Sequence, residues 1–189
     1  MGLLSAQFCG TTALAVAGAA AIWLALYNRW GKRWLLVGNL MVALAGGLPL
    51  IYAGIITGPT PKRWMVLWIG FALAAGFHLV REVLKDIQDV EGDSRAHVFT
   101  LPVVFGVRTA GRIAASVLLL VSILSVMPGI LRWFNQIYLY GALFLIMLPS
   151  GSGSYRLWVN PTVAEAARWA SLVKLMMACG LVLLWLGST

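Results

Sequence analysis

The sequence is nearly devoid of negative charge. Of its 189 residues six are acidic; none precedes Glu82, and five crowd between Glu82 and Asp93. Cysteine is scarcer still. Cys9 and Cys179 both lie in apolar runs, which excludes a disulfide framework or a cysteine metal site and leaves them as small packing residues. Only 11% of the residues are charged, far below the roughly 25% of a soluble domain. No nucleotide-binding glycine loop, no solenoid repeat and no convincing Ser/His/Asp set is present, which removes the commonest soluble enzyme classes.

What remains is hydrophobic. Apolar residues make up 61% of the chain, against about 45–50% in soluble proteins, and the mean hydropathy is +0.89. The chain therefore reads as an all-α, polytopic transmembrane helical bundle, one domain over residues 1–189. A spanning helix needs about 20 apolar residues. Six stretches approach that length: 4–27, 35–57, 64–82, 109–127, 133–149 and 168–187. The fifth is short and ends at Pro149, so it is expected to tilt little or to stop inside the bilayer. The run "PSGSGS", Pro149 to Ser154, reads as a flexible loop. Trp30, Trp34, Trp64, Trp133, Trp158 and Trp169 fit an interfacial aromatic belt. Gly10, Gly18, Gly46, Gly47 and Gly54 are expected to let helices approach closely.

A net charge of +8 raises the question of nucleic acid, but the basic residues cap apolar segments and form no single patch. Anionic lipid headgroups and the positive-inside rule account for them, with no nucleic-acid partner. Assigning alternate connections to one side collects Arg29, Lys32, Arg33, Arg81, Lys85, Arg95, Arg108, Arg112, Arg156 and Arg168. Lys62, Arg63 and Arg132 fall on the other side, and Lys174 lies within the last span. Ten against three puts the acidic stretch in the cytoplasm and both ends outside, in the inner or plasma membrane. No Lys or Arg precedes the first apolar run, so residues 4–27 are expected to be a retained span and not a signal peptide.

The acidic cluster carries the chemistry. If the third span continues as a helix at about 100° per residue, with Glu82 at zero, then Asp86 falls near 40°, Asp89 near −20° and Asp93 near 20°. Four carboxylates then share a stripe. His78, near −40°, extends it toward the membrane, and Glu91 points away. A helix end at Gly92 would bring Asp93 in through a turn. Neighbours on such a stripe lie about 6 Å apart and repel by about 3 kcal/mol per pair at an effective dielectric near 20. Positive charge must offset this. Arg81 and Lys85 supply part of it, and carboxylate oxygens without Cys match a hard cation, Mg²⁺ above all.

The segment "REVLKDIQDVEGD" followed by "TLPVVFG" resembles the second Asp-rich motif of the UbiA superfamily of intramembrane prenyltransferases, most closely its archaeal-lipid and quinone or tocopherol branches. The upstream "YNRWGKRWLLVGN" is similar to the family's Tyr and Lys pair and its Gly-Asn helix start. The resemblance implies a bundle around a central cavity. Mg²⁺ joins carboxylates to a prenyl diphosphate there, and the prenyl group passes to an aromatic or glycerol-phosphate lipid acceptor. By position it makes Asp86, Asp89 and Asp93 the metal ligands and catalytic residues, and Tyr27, Lys32, Arg81 and Lys85 diphosphate contacts. Lys174, costly within a span unless paired, joins that last group.

Members of the family have nine spans and two Asp-rich motifs, and this chain contains only the second. Two readings stay open. In one, the chain is prenyltransferase machinery, working with a separately encoded N-terminal half or read from an incomplete gene. In the other, it is a non-catalytic relative that binds lipid or assists assembly.

Overall fold

The structure is a computed structural model that describes residues 2–29 and 35–188, the side chains of Leu3 and Asn28 excepted. Its elements are helices throughout: α1 (Gly2–Phe8), α2 (Thr11–Arg29), α3 (Leu35–Thr57), α4 (Pro61–Gln88), α5 (Val90–Arg95), α6 (Leu101–Ile130), α7 (Gln136–Gly141), α8 (Leu148–Val159) and α9 (Val163–Ser188). A π-helical segment, Ala142–Met147, joins α7 to α8 without a break. An apolar chain has this outcome because lipid offers backbone amides no partner, so they must pair within each helix.

Five helices are long and apolar enough to cross a membrane, Leu35–Thr57, Pro61–Gln88, Leu101–Ile130, Gln136–Val159 and Val163–Ser188. The first apolar stretch differs from expectation. Gly10, at φ 105°, divides it into α1 and α2, and its uninterrupted apolar part is the shorter Thr11–Tyr27.

The fifth stretch is also corrected. It does not stop at Pro149, and "PSGSGS" is not a loop; the helix runs on to Val159. A proline inside a helix lacks an N–H and crowds the carbonyl four residues back. The widened π turn just before Pro149 accommodates that ring. The small residues then serve packing: Ser150 and Ser154 are buried, and a Cβ on Gly153 would stand 2.6 Å from the Trp169 ring. Trp169 consequently lies in the core and not in an interfacial belt. Its indole N–H donates to Glu165 Oε2 at 3.1 Å, and Arg156 pairs with the same carboxylate at 3.3 Å.

Helices α3 and α4 form an antiparallel hairpin turned at residues 58–60. Gly46, Gly47 and Gly54 make the close approach expected of them, meeting His78, Phe71 and Trp64 on α4. Gly10 and Gly18 do not, since a Cβ at either would meet nothing within 4 Å. Cys9 is exposed and not a buried packing residue. The core, formed by α4, α6, α8 and α9, centres on Val80, Leu84, Leu118, Leu157 and Val173. At one end of the core, Tyr138 Oη donates to the Ser125 carbonyl at 2.7 Å.

Candidate functional site

The site grows from the charged end of α4. Its buried face, Phe77, Val80, Val83, Leu84 and Ile87, fixes the helix against the core and leaves Arg81, Glu82, Lys85 and Asp86 on the other side. Glu82 occupies that outer side and takes both flanking cations, Arg81 Nη1 at 2.8 Å and Lys85 Nζ at 3.5 Å. Its side chain keeps only 12% of its surface exposed. One turn further, Asp86 Oδ2 accepts a hydrogen bond of 2.7 Å from Asn39 Nδ2 on α3. A half-buried carboxylate is tolerated when its oxygens are satisfied, and the amide does this without cancelling the charge.

Helix α4 ends at Gln88, four residues before Gly92, and Asp89 caps it. Asp89 is exposed at this break, and α5 then carries Asp93, which is half-buried. Asp86 senses the charges of Asp93, Glu82 and Lys85. Tyr27, near the end of α2, lies close enough to Glu82 and Asp86 to feel theirs. Glu91 points away as expected, 86% exposed and paired only loosely with Arg95 at 3.7 Å.

The structure thus brings together Tyr27, Arg81, Glu82, Lys85, Asp86 and Asp93. Lys174 stands apart, exposed on α9, on the side shared by Met177, Ala178 and Leu181 three, four and seven residues on. Lys32, Trp30 and Trp34 lie outside the described residues. Asn39 was not among the sequence candidates. Its one signal is its place in the quoted Gly-Asn pair, because a contact across 47 residues leaves no periodicity.

Beneath this cap lies an apolar cavity of about 450 Å³ between α3, α4 and α9. On α4 it is lined by Gly70, Leu73, Ala74, Phe77 and His78. Phe77 and His78 lie one turn below Arg81 and Glu82, so one end of the cavity lies a helical turn beneath the charged groups.

Among the described residues no three His, Cys, Asp or Glu side chains converge closely enough to hold a metal by themselves. Magnesium does not demand that. It keeps several waters and is commonly held by one or two carboxylates plus a substrate's phosphates, and the oxygen-only donors at Asp86 and Asp93 suit such sharing.

Apolar helices of spanning length around a lipid-sized cavity define an integral membrane protein. A model of the UbiA prenyltransferase family matches residues 1–180, and the chain belongs to that family. Digeranylgeranylglyceryl phosphate synthase of Methanopyrus kandleri is 31% identical to it over 186 residues, 96% of this chain and 65% of the relative. The synthase of that name from Methanococcus maripaludis strain C6 is 31% identical over 188 residues, 100% of this chain and 65% of the relative. A structure solved in work on digeranylgeranylglyceryl phosphate synthase in membranes superposes with a TM-score of 0.81 at 27% identity, covering 99% of this chain and 65% of the other. The chain spans about 65% of the length of these relatives.

Proposed function

We propose that this chain forms the donor-binding part of a prenyltransferase that joins a prenyl group, carried on a diphosphate, to a hydroxyl of a glycerol-phosphate lipid. One observation carries the reading: on a single helix, anionic and cationic side chains sit one turn above an apolar cavity, the arrangement an amphiphile with a charged head and a prenyl tail requires. The relatives named for digeranylgeranylglyceryl phosphate favour the glycerol-phosphate acceptor over an aromatic quinone precursor.

In this reading Asp86 and Asp93, with Asp89 at the helix break, hold Mg²⁺, which when bound neutralises charge developing on the leaving diphosphate. Arg81 and Lys85 turn from Glu82 to the diphosphate oxygens, Tyr27 approaches from α2, and Lys32 is a diphosphate contact by the family resemblance alone. The cavity takes the tail and keeps water from the allylic carbon. Lys174, on the cavity-facing side of α9, is a further phosphate contact. A second reading is a non-catalytic binder of prenyl lipids, for which the charged groups above the apolar cavity would suffice.

Titrating the chain in detergent with geranylgeranyl diphosphate tests the binding. Affinity is expected to fall at least about tenfold when EDTA replaces magnesium, and equal affinity in the two would rule the reading out. Transfer to a glycerol-phosphate lipid is then assayed in membranes holding this chain alone, and with the part of the Methanopyrus kandleri relative that it does not match. Binding without transfer in either membrane leaves the second reading.

The same proposal puts the carboxylates on the cytoplasmic side of the cell membrane, because ten of the basic residues collect on their side. A reporter fused after Thr189 is expected to act outside the cytoplasm. A cytoplasmic signal there reverses the orientation.

A further inference from the structure

One base in the cavity wall has no task in the scheme above. His78 lines the cavity, half-buried, and its ring lies so close over Gly46 of α3 that a Cβ there would overlap the imidazole. It makes no hydrogen bond among the described residues. The other polar side chains of the wall are engaged. Ser125 Oγ donates to the Ser122 carbonyl at 2.7 Å, and Tyr138 Oη to the Ser125 carbonyl at 2.7 Å. Of the carboxylates just above, Glu82 is taken by Arg81 and Lys85, and Asp86 by Asn39.

The position along α4 matters as much as the chemistry. A donor with its tail in the cavity and its diphosphate at the level of Glu82 and Asp86 places the allylic carbon between them, beside residue 78. An acceptor hydroxyl must reach that carbon, and its proton must leave as the new bond forms. In a wall of aliphatic and engaged groups the imidazole is the base at hand.

Resting on the prenyl transfer proposed above, we propose that His78 takes the proton from the acceptor's hydroxyl. A lone pair of the hydroxyl oxygen forms the C–O bond to the allylic carbon. The bond from that carbon to the diphosphate oxygen breaks, its electron pair leaving with the diphosphate. The hydroxyl proton passes to a ring nitrogen of His78 and from there to water at the charged cap. Ether, diphosphate and one proton account for every atom. Of the charged and titratable groups, Arg81 and Glu82 on α4 act on the ring, Tyr138 shares the cavity wall, and Lys174 on α9 lies one turn from the wall residues Met177 and Ala178. Helix α3 approaches the ring at Gly46.

The test measures transfer from geranylgeranyl diphosphate to a glycerol-phosphate lipid between pH 5 and 8, in the two membranes described above. The wild-type rate is expected to fall toward low pH. His78→Asn is expected to lose about 10²-fold in turnover with the donor KM within about twofold, and to change the acid limb of the profile. His78→Ala is expected to recover activity when imidazole is added. Magnesium-dependent donor binding reports that each variant is folded. A variant with the wild-type rate and pH profile, a loss in KM alone without imidazole rescue, or loss of donor binding in both variants overturns the inference and leaves the transfer reading standing. Wild type that transfers in neither membrane removes both.

Discussion

Replacing Asp86 by alanine is expected to lower prenyl transfer by about a thousandfold, a loss near 4 kcal/mol of transition-state stabilisation, and to abolish the magnesium dependence of donor binding. Glu91→Gln, by contrast, should change transfer less than about twofold, because Glu91 faces solvent and meets only Arg95. The contrast isolates position from charge, since both changes remove one carboxylate from the same twelve-residue stretch. Stability should move in the opposite sense to activity. Asp86 senses the charge of Glu82 and Asp93, so a neutral residue there relieves repulsion of a few kcal/mol at most, offset in part by the orphaned Asn39 amide. A thermal midpoint for Asp86→Ala that equals or exceeds wild type, alongside lost transfer, marks a carboxylate kept for function at the expense of folding. A sharply lowered midpoint would assign Asp86 to the fold instead.

How much of this was legible in the sequence depends on the range of the interaction. The spans were legible because an apolar run in lipid has few options other than helix, and composition alone reports it. The acidic stripe was legible because α4 is continuous through Asp86, so positions 82 and 86 keep their helical phase. Beyond Gln88 the phase is lost: the backbone turns at Asp89, not at Gly92, and Asp93 arrives on α5. The misreading of Pro149–Ser154 has a physical root as well. Gly, Ser and Pro mark turns where water competes for the backbone. Within a bundle the same small side chains let Trp169 lie against the helix, and a π turn absorbs the proline. Asn39 and the cavity were out of reach because both depend on which helices pair. The glycines split along the same line. Gly46 and Gly54 meet α4, whereas Gly18 meets nothing, and only the partner tells them apart.

That hairpin gives the second large effect. Gly47→Leu is expected to destabilise the protein by about 3 kcal/mol, read as a fall in the thermal midpoint in detergent, with Gly18→Leu within about 0.5 kcal/mol of wild type. A Cβ on Gly47 would stand 2.7 Å from the Phe71 ring and 2.9 Å from the Phe71 carbonyl oxygen. A ring can rotate, but a backbone carbonyl held in helix α4 cannot, so α3 must move away. The consequence reaches the charged cap. Asn39 lies eight residues along α3 from Gly47, about 12 Å, and displacement of α3 withdraws its amide from Asp86. Residual folded Gly47→Leu protein should therefore bind prenyl diphosphate more weakly, although the substitution touches no group of the cap. Equal midpoints for the Gly47 and Gly18 variants would mean that α3 and α4 do not meet as described, and with them the pairing of Asn39 to Asp86 would fall.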